Sequence, residues 1–306
     1  MDFGSILHTI FNFENYGELL ALVQNSIWAG AVLGLLGGLV GTFVMKRDLA
    51  FAVHGISELS FAGASFALLI GTDIILGSLA GSVAAALLLG LMGVRARDKN
   101  SIIGVIMPFG LGLGILFLAL YQGRAANKFG LLTGQIVSVD TVQLQVLAGT
   151  AVVVMIALAA MWRPLSFASV DPEMAEARGV PVRGLAIAFM VLLGVSVALS
   201  IQIVGALLVL ALLITPAAAA LRVTTSPRLV VLLSVLFAIT ATVGGILLAL
   251  GSRIPISPYV TTLSFLIYVV CRIIGNVRAK RGINGRVVRP HQAVLDRAAE
   301  DRAVAG

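Results

Sequence analysis

Residues 26–70 read SIWAGAVLGLLGGLVGTFVM, then KRD, then LAFAVHGISELSFAGASFALLI. Two apolar runs, 26–45 and 49–70, flank a charged turn of Lys46, Arg47 and Asp48. Each run is close to the roughly 20 residues that an α-helix needs to cross a bilayer. Neither shows the period-two alternation of a membrane β-strand. The expectation is a pair of membrane helices joined by a tight turn, and the rest of the chain repeats the pattern. Apolar runs follow at 74–94, 102–120, 141–161, 203–221, 229–250 and 259–274, with a shorter one at 185–199.

Composition agrees. The 306 residues are 59% hydrophobic and 11% charged, with a mean hydropathy of +1.06. A soluble domain devotes roughly a quarter of its residues to charge, so lipid must be the solvent for most of this chain. The 33 glycines carry no collagen-like period, and the single cysteine, Cys271, permits no internal disulfide. The fold class expected is an all-α polytopic membrane protein of about nine transmembrane helices. The 185–199 run is kept as a span, broken together with its neighbour.

The formal charge of +7 has a geographical reading. If nine helices alternate and the first runs inward, all but three of the 21 lysines and arginines face the cytoplasm; the exceptions are Arg124, Lys128 and Arg253. That matches the positive-inside bias. It places the N-terminus, with Asp2, Glu14 and Glu18, outside and the C-terminus in the cytoplasm. The basic balance is thus an orientation signal rather than a nucleic-acid one. No basic n-region precedes the first run, which is too long for a signal-peptide core, so it is read as a retained anchor. Three regions are expected: an extracytoplasmic segment 1–25, a transmembrane domain 26–275, and a partly disordered cytoplasmic tail 276–306.

Charged groups near the bilayer centre are expensive and mark function by default. The run 49–70 carries two, His54 and Glu58, four residues apart and therefore on one helix face about 6 Å apart along the axis. Imidazole plus carboxylate suits zinc, iron or manganese. The same pair could also be a hydrogen-bonded packing contact or a proton relay. Ser57, Ser60 and Ser65 lie nearby, but serines in membrane helices more often bond their own backbone. Gly30, Gly34 and Gly38, with Gly37 and Gly41, have the small-residue spacing of close helix packing, and Gly110 and Gly114 read likewise. Pro216 should kink its run near Thr215.

Between the fifth and sixth runs lies DPEMAEARG, residues 171–179. Asp171 can cap a short helix, Pro172 fits its first position, Glu173 and Glu176 follow, and Gly179 can close it behind Arg178. Such a helix exposed between spans suggests a docking surface, or else a well-capped connector. None of the four lysines lies in a G-x-x-x-x-G-K-[ST] phosphate loop, and no H-E-x-x-H or G-x-S-x-G motif occurs. An enzyme is therefore not expected, and any use of ATP by a phosphate loop must come from a partner.

Four stretches together resemble the permease subunits of ATP-binding-cassette importers for zinc, manganese or iron. FVMKRDLAF at 43–51 is similar to that family's "FVVLRR-aromatic" passage, and LLTGQIVSVD at 131–140 to its "LFGSILAV" segment. DPEMAEARGVPV at 171–182 resembles its cytoplasmic "DEELARALGLPV" loop. The most specific match is VGALLVLALLITPAAAALRVT at 204–224, which resembles its seventh-helix signature. The resemblance extends over residues 22–274. One departure stands in the second run, where the family reads "GDALSHAVLPG" and this chain VHGISELSFAG. Aligned on Gly63, His54 takes the aspartate's place and Glu58 the histidine's, so one nitrogen and one oxygen ligand remain in swapped order. Phe61 and Ala62 replace the Leu-Pro.

The resemblance implies a permease subunit of the bacterial plasma membrane that pairs with a second permease chain, a copy of itself, around a cation path. It implies ATPase subunits docking on Asp171, Glu173, Glu176 and Gly179, and an extracytoplasmic protein that delivers the metal. His54 and Glu58 would bind the ion transiently during alternating access, with no permanently bound cofactor. Zinc is the first expectation from ligand affinity, with manganese and iron open. A proton-coupled secondary carrier using His54 and Glu58 is the alternative, and a membrane scaffold the third reading.

Overall fold

The computed structural model describes residues 16–92, 99–123, 131, 139–205, 208–250 and 255–280. The regular elements among them are all helices: α1 (Tyr16–Leu22), α2 (Gln24–Lys46), α3 (Ala50–Ile70), α4 (Ile74–Met92), α5 (Lys99–Leu120) and α6 (Thr141–Val170), followed by α7 (Pro172–Ala177), α8 (Val182–Val204), α9 (Val209–Leu213), α10 (Thr215–Val223), α11 (Pro227–Ala249) and α12 (Ile256–Lys280). Eight of these are long and apolar enough to span a membrane. Large apolar side chains such as Phe51, Val105, Ile156 and Phe265 point outward, as they should where lipid is the solvent.

Two runs differ from expectation. The short run at 185–199 lies inside a continuous 23-residue helix, α8. Its polar end is accommodated because Ser196 and Ser200 donate to the carbonyls of Leu192 and Ser196 one turn back, at 2.7 and 2.8 Å. The break falls in the next run instead. Gly205 leaves α8 with φ +82 and ψ 161, a conformation open essentially to glycine alone. Beyond it, α9 and α10 are separated at Ile214, where Pro216 enters the first turn of α10. The kink expected near Thr215 is thus a true interruption.

The interrupted segment still runs the length of the bundle. Along α12, Ser257 donates to the Val204 carbonyl, Ser264 to that of Ala211, and Arg278 to that of Val223, at 3.3, 3.4 and 3.3 Å. Three successive points in the same order make α9–α10 parallel to α12. Among the described residues, eight continuous helices and one interrupted segment thus correspond to the about nine spans expected, with the break in the 203–221 run alone. The structure also carries α12 to Lys280, five residues beyond the expected domain edge at 275. Residues 1–15 and 281–306, most of the 131–140 stretch, and Arg124, Lys128 and Arg253 lie outside the described residues.

Small residues set the helix contacts. A Cβ on Gly34 would stand 2.8 Å from the Ile239 Cα, and one on Gly38 2.5 Å from the Val235 Cα. The Gly30, Gly34, Gly38 stripe thus lets α2 touch the α11 backbone, antiparallel to it. Thr242 and Ser234 donate to the carbonyls of Gly30 and Gly38 across this contact, each at 2.9 Å. Gly37 and Gly41 face Leu212 and Leu213 of α9.

These pairings orient every helix. Asn25 meets Thr141 at the start of α2 and α6, and Arg47 meets Ser169 at their ends, so the two run parallel. Gly55 packs near Ile103, Gly110 near Leu59 and Gly114 near Phe61, so α5 runs parallel to α3. Gly90 faces Ile187 and Gly194 faces Ser82, so α8 is antiparallel to α4. The consequence is one-sided charge. Among the described residues every lysine and arginine, from Lys46 and Arg47 to Arg222 and Arg278, belongs to the bundle end that carries α7.

Candidate functional site

The turn from α2 into α3 is closed without glycine. The Leu49 N–H donates to the Val44 carbonyl at 2.9 Å, and Asp48 takes φ +53, a left-handed position that aspartate tolerates better than most residues. This tight closure fixes where α3 begins and so places His54 one turn in and Glu58 two turns in. At the far end Gly71, φ +73, stops the helix while the Thr72 N–H donates to the Ala67 carbonyl at 2.9 Å.

Two neighbours clamp α3. On one side Gly63 of α3 lies against Gly77 of α4, and Gly81 of α4 against the Leu59 carbonyl; Ser60 bonds the Ser78 carbonyl and hydroxyl at 2.9 and 2.8 Å. Ser60 thus bonds a neighbouring helix rather than its own backbone. On the other side Gly110 and Gly114 of α5 meet the backbone at Glu58 and the ring of Phe61. A Cβ on Gly110 would be 3.0 Å from the Glu58 carbonyl carbon, so any side chain there would press on the site. The helix is held tightly while the faces bearing its two ionisable groups stay partly open.

His54 Nε2 lies 3.7 Å from Glu58 Oε1, with the side chains 33% and 13% exposed. This is too long for a hydrogen bond. Two ligands each about 2.1 Å from one ion in tetrahedral array stand about 3.4 Å apart, so the gap is close to what a bridging cation would fill. His54 Nδ1 is buried without a partner. A histidine kept only for packing would have this nitrogen bonded by a neighbour, and among the described residues it has none. Ser65 Oγ, a further two turns along, is also buried without a partner. No third His, Cys, Asp or Glu gathers with the pair among the described residues. Among the described residues of these four types, the pair alone would face a cation at this place.

At the cationic end the expected short helix is present as α7. Asp171 ends α6 and caps α7 at once, its Oδ1 accepting the Met174 N–H at 2.9 Å, with Pro172 at the first position. Val180 and Gly179 donate to the carbonyls of Ala175 and Glu176 at 3.0 and 2.9 Å, with Gly179 at φ +82, a Schellman closure. Ala175 is buried as the anchor, whereas Glu173, Met174 and Glu176 are exposed. The result is a short helix closed at both ends, with Glu173, Met174, Glu176 and Arg178 exposed.

Residues 20–275 match the ABC 3 transport family. The chain is 29% identical over 225 residues to the manganese transport system membrane protein MntC of Halalkalibacterium halodurans, covering 73% of this chain and 77% of that protein. It is 26% identical over 249 residues to the manganese import system permease protein ScaB of Streptococcus gordonii, covering 81% and 89%. The fold is also that of a solved structure described as PsaBC from Streptococcus pneumoniae in complex with Fab, with a TM-score of 0.76 at 24% identity over 85% of this chain and 95% of that one.

Proposed function

This chain belongs to the ABC 3 transport family, and we propose that it is the permease subunit of an ATP-driven importer of a divalent transition metal, manganese before zinc or iron. The observation that carries the reading is the His54–Glu58 pair: two metal-type side chains 3.7 Å apart on a tightly clamped helix, with His54 Nδ1 buried without a partner. Two ligands suit cargo, because a transport site must release what it holds.

Manganese moves ahead of zinc for two reasons. The relatives carry manganese in their names, and a carboxylate ligand suits the harder ion. The affinity order that favours zinc describes isolated sites rather than transported cargo.

ATP enters through partners. The capped α7, with Asp171, Glu173, Glu176 and Gly179, is the docking element for ATPase subunits. The cationic end of the bundle faces the cytoplasm by the positive-inside bias, which puts α7 on the side where ATP is. The opposite end then faces the extracytoplasmic metal-binding protein of a bacterial plasma-membrane importer. Segment 1–25 lies outside, and the tail 276–306 lies in the cytoplasm. A second copy of the chain completes the path, and alternating access opens it to each side in turn.

The secondary carrier is the weaker reading, because it leaves the capped, exposed α7 without a role. Reconstitution in proteoliposomes separates the two: uptake that requires ATP and the ATPase supports the importer, and uptake driven by a proton gradient alone supports the carrier.

A further inference from the structure

At the cationic end, residues of seven helices, α2 to α8, line a half-open cavity of about 350 Å³. Its polar lining is Lys46, Arg47, Asp48 and Ser169; its apolar lining includes Leu49, Leu89, Ile103 and Met190, and Pro172 of α7 closes one side. We propose that this cavity is a lipid site, in which Lys46 and Arg47 bind the phosphate of an anionic phospholipid and the apolar wall takes its glycerol and the first part of its acyl chains.

The cations are placed and uncompensated. Arg47 donates to Ser169 Oγ at 3.2 Å and its guanidinium lies 5.9 Å from the centre of the Phe189 ring, while Lys46 Nζ lies 5.6 Å from that of Phe43. Among the described residues the one ion pair is His54–Glu58, so neither cation has a carboxylate partner. Asp48 lines the same cavity but is exposed, and its charge is therefore solvated. Burial pushes the Arg47 guanidinium below its ordinary range, the sign of a desolvated cation that an anion would stabilise.

Shape favours a lipid over a free ion. Phosphate alone needs a small polar cradle, whereas most of this lining is apolar. Basic pockets between membrane helices on the cytoplasmic side are the places where anionic headgroups bind. The cavity joins α2, α3, α4, α5, α6 and α8 beside the first residue of α7, so its occupant would hold the floor under that helix.

The test is native mass spectrometry of the full chain, titrated with phosphatidylglycerol or phosphatidylcholine, with inorganic phosphate as a separate arm. Wild type should retain phosphatidylglycerol preferentially. Lys46→Gln and Arg47→Gln should each reduce that preference roughly 5-fold, and Arg228→Gln, away from the cavity, should not. Ala186→Phe fills the cavity from α8, leaves both cations in place, and should abolish retention without sharing any folding defect of the charge variants. Equal retention by wild type, both glutamine variants and Ala186→Phe would overturn the proposal. Occupancy by inorganic phosphate with no preference between the two lipids would overturn it too, by placing a free anion there.

Discussion

His54 and Glu58 show what four-residue spacing can and cannot reveal. Their shared helix face follows from the sequence, because only a helix puts i and i+4 side by side, as does the place of Glu58 near mid-span. What the spacing leaves open is whether neighbouring helices satisfy them. That depends on Gly110, Gly114, Gly77 and Gly81, which bring backbone rather than polar side chains against α3. Removing either side chain should reduce metal uptake by at least roughly 100-fold, beyond the 10- to 100-fold typical when a group that only orients a metal ligand is lost. Glu58→Asp should retain part of the activity, since it keeps the charge and shortens the reach. Uptake assays on folded, membrane-inserted variants check both. Ser60 illustrates the opposite case: its hydroxyl bonds Ser78 across the helix contact, a partner 18 residues away that no local rule names.

Among the elements, the continuous spans were legible because lipid demands long apolar helices with every backbone group bonded internally. The interruption was half legible. Pro216 announced a disturbance, but a proline inside an apolar run can kink a helix or divide it. The positive φ of Gly205, together with the serines that let α8 run on to Val204, decided where the break falls. Glycines offer a sharp test of the packing account. Gly38→Ala should destabilise by about 1 to 3 kcal/mol because its Cβ meets the α11 backbone. Gly149→Ala in α6, with nothing within 4 Å, should be neutral or stabilising by up to about 1 kcal/mol. Thermal unfolding in detergent distinguishes them. Asp171→Ala should loosen α7 by about 1 kcal/mol and reduce ATP-coupled transport while leaving metal binding intact, readable as uptake per ATP hydrolysed.

At the scale of the whole molecule, charge and topology tell one story. Counting cations along the sequence predicts a side, and the helix pairings bring the described cations to one end. The cavity beside Lys46 was not legible, since its wall is assembled from seven helices spread over residues 46–190, and the same two cations read from sequence only as an orientation signal. The topology makes a direct prediction: in a Cys271→Ala background, a cysteine at Met174 should be labelled by impermeant reagents only from the cytoplasmic side, and one at Thr72 only from the other. The measurement that tests the central claim most directly is uptake of radiolabelled manganese, with zinc and iron as competitors, into proteoliposomes holding this chain with its cognate ATPase and metal-binding protein. The account predicts uptake that needs ATP and disappears in both His54→Ala and Glu58→Ala. Uptake that persists in both variants, or that proceeds on a proton gradient without ATP, would contradict it.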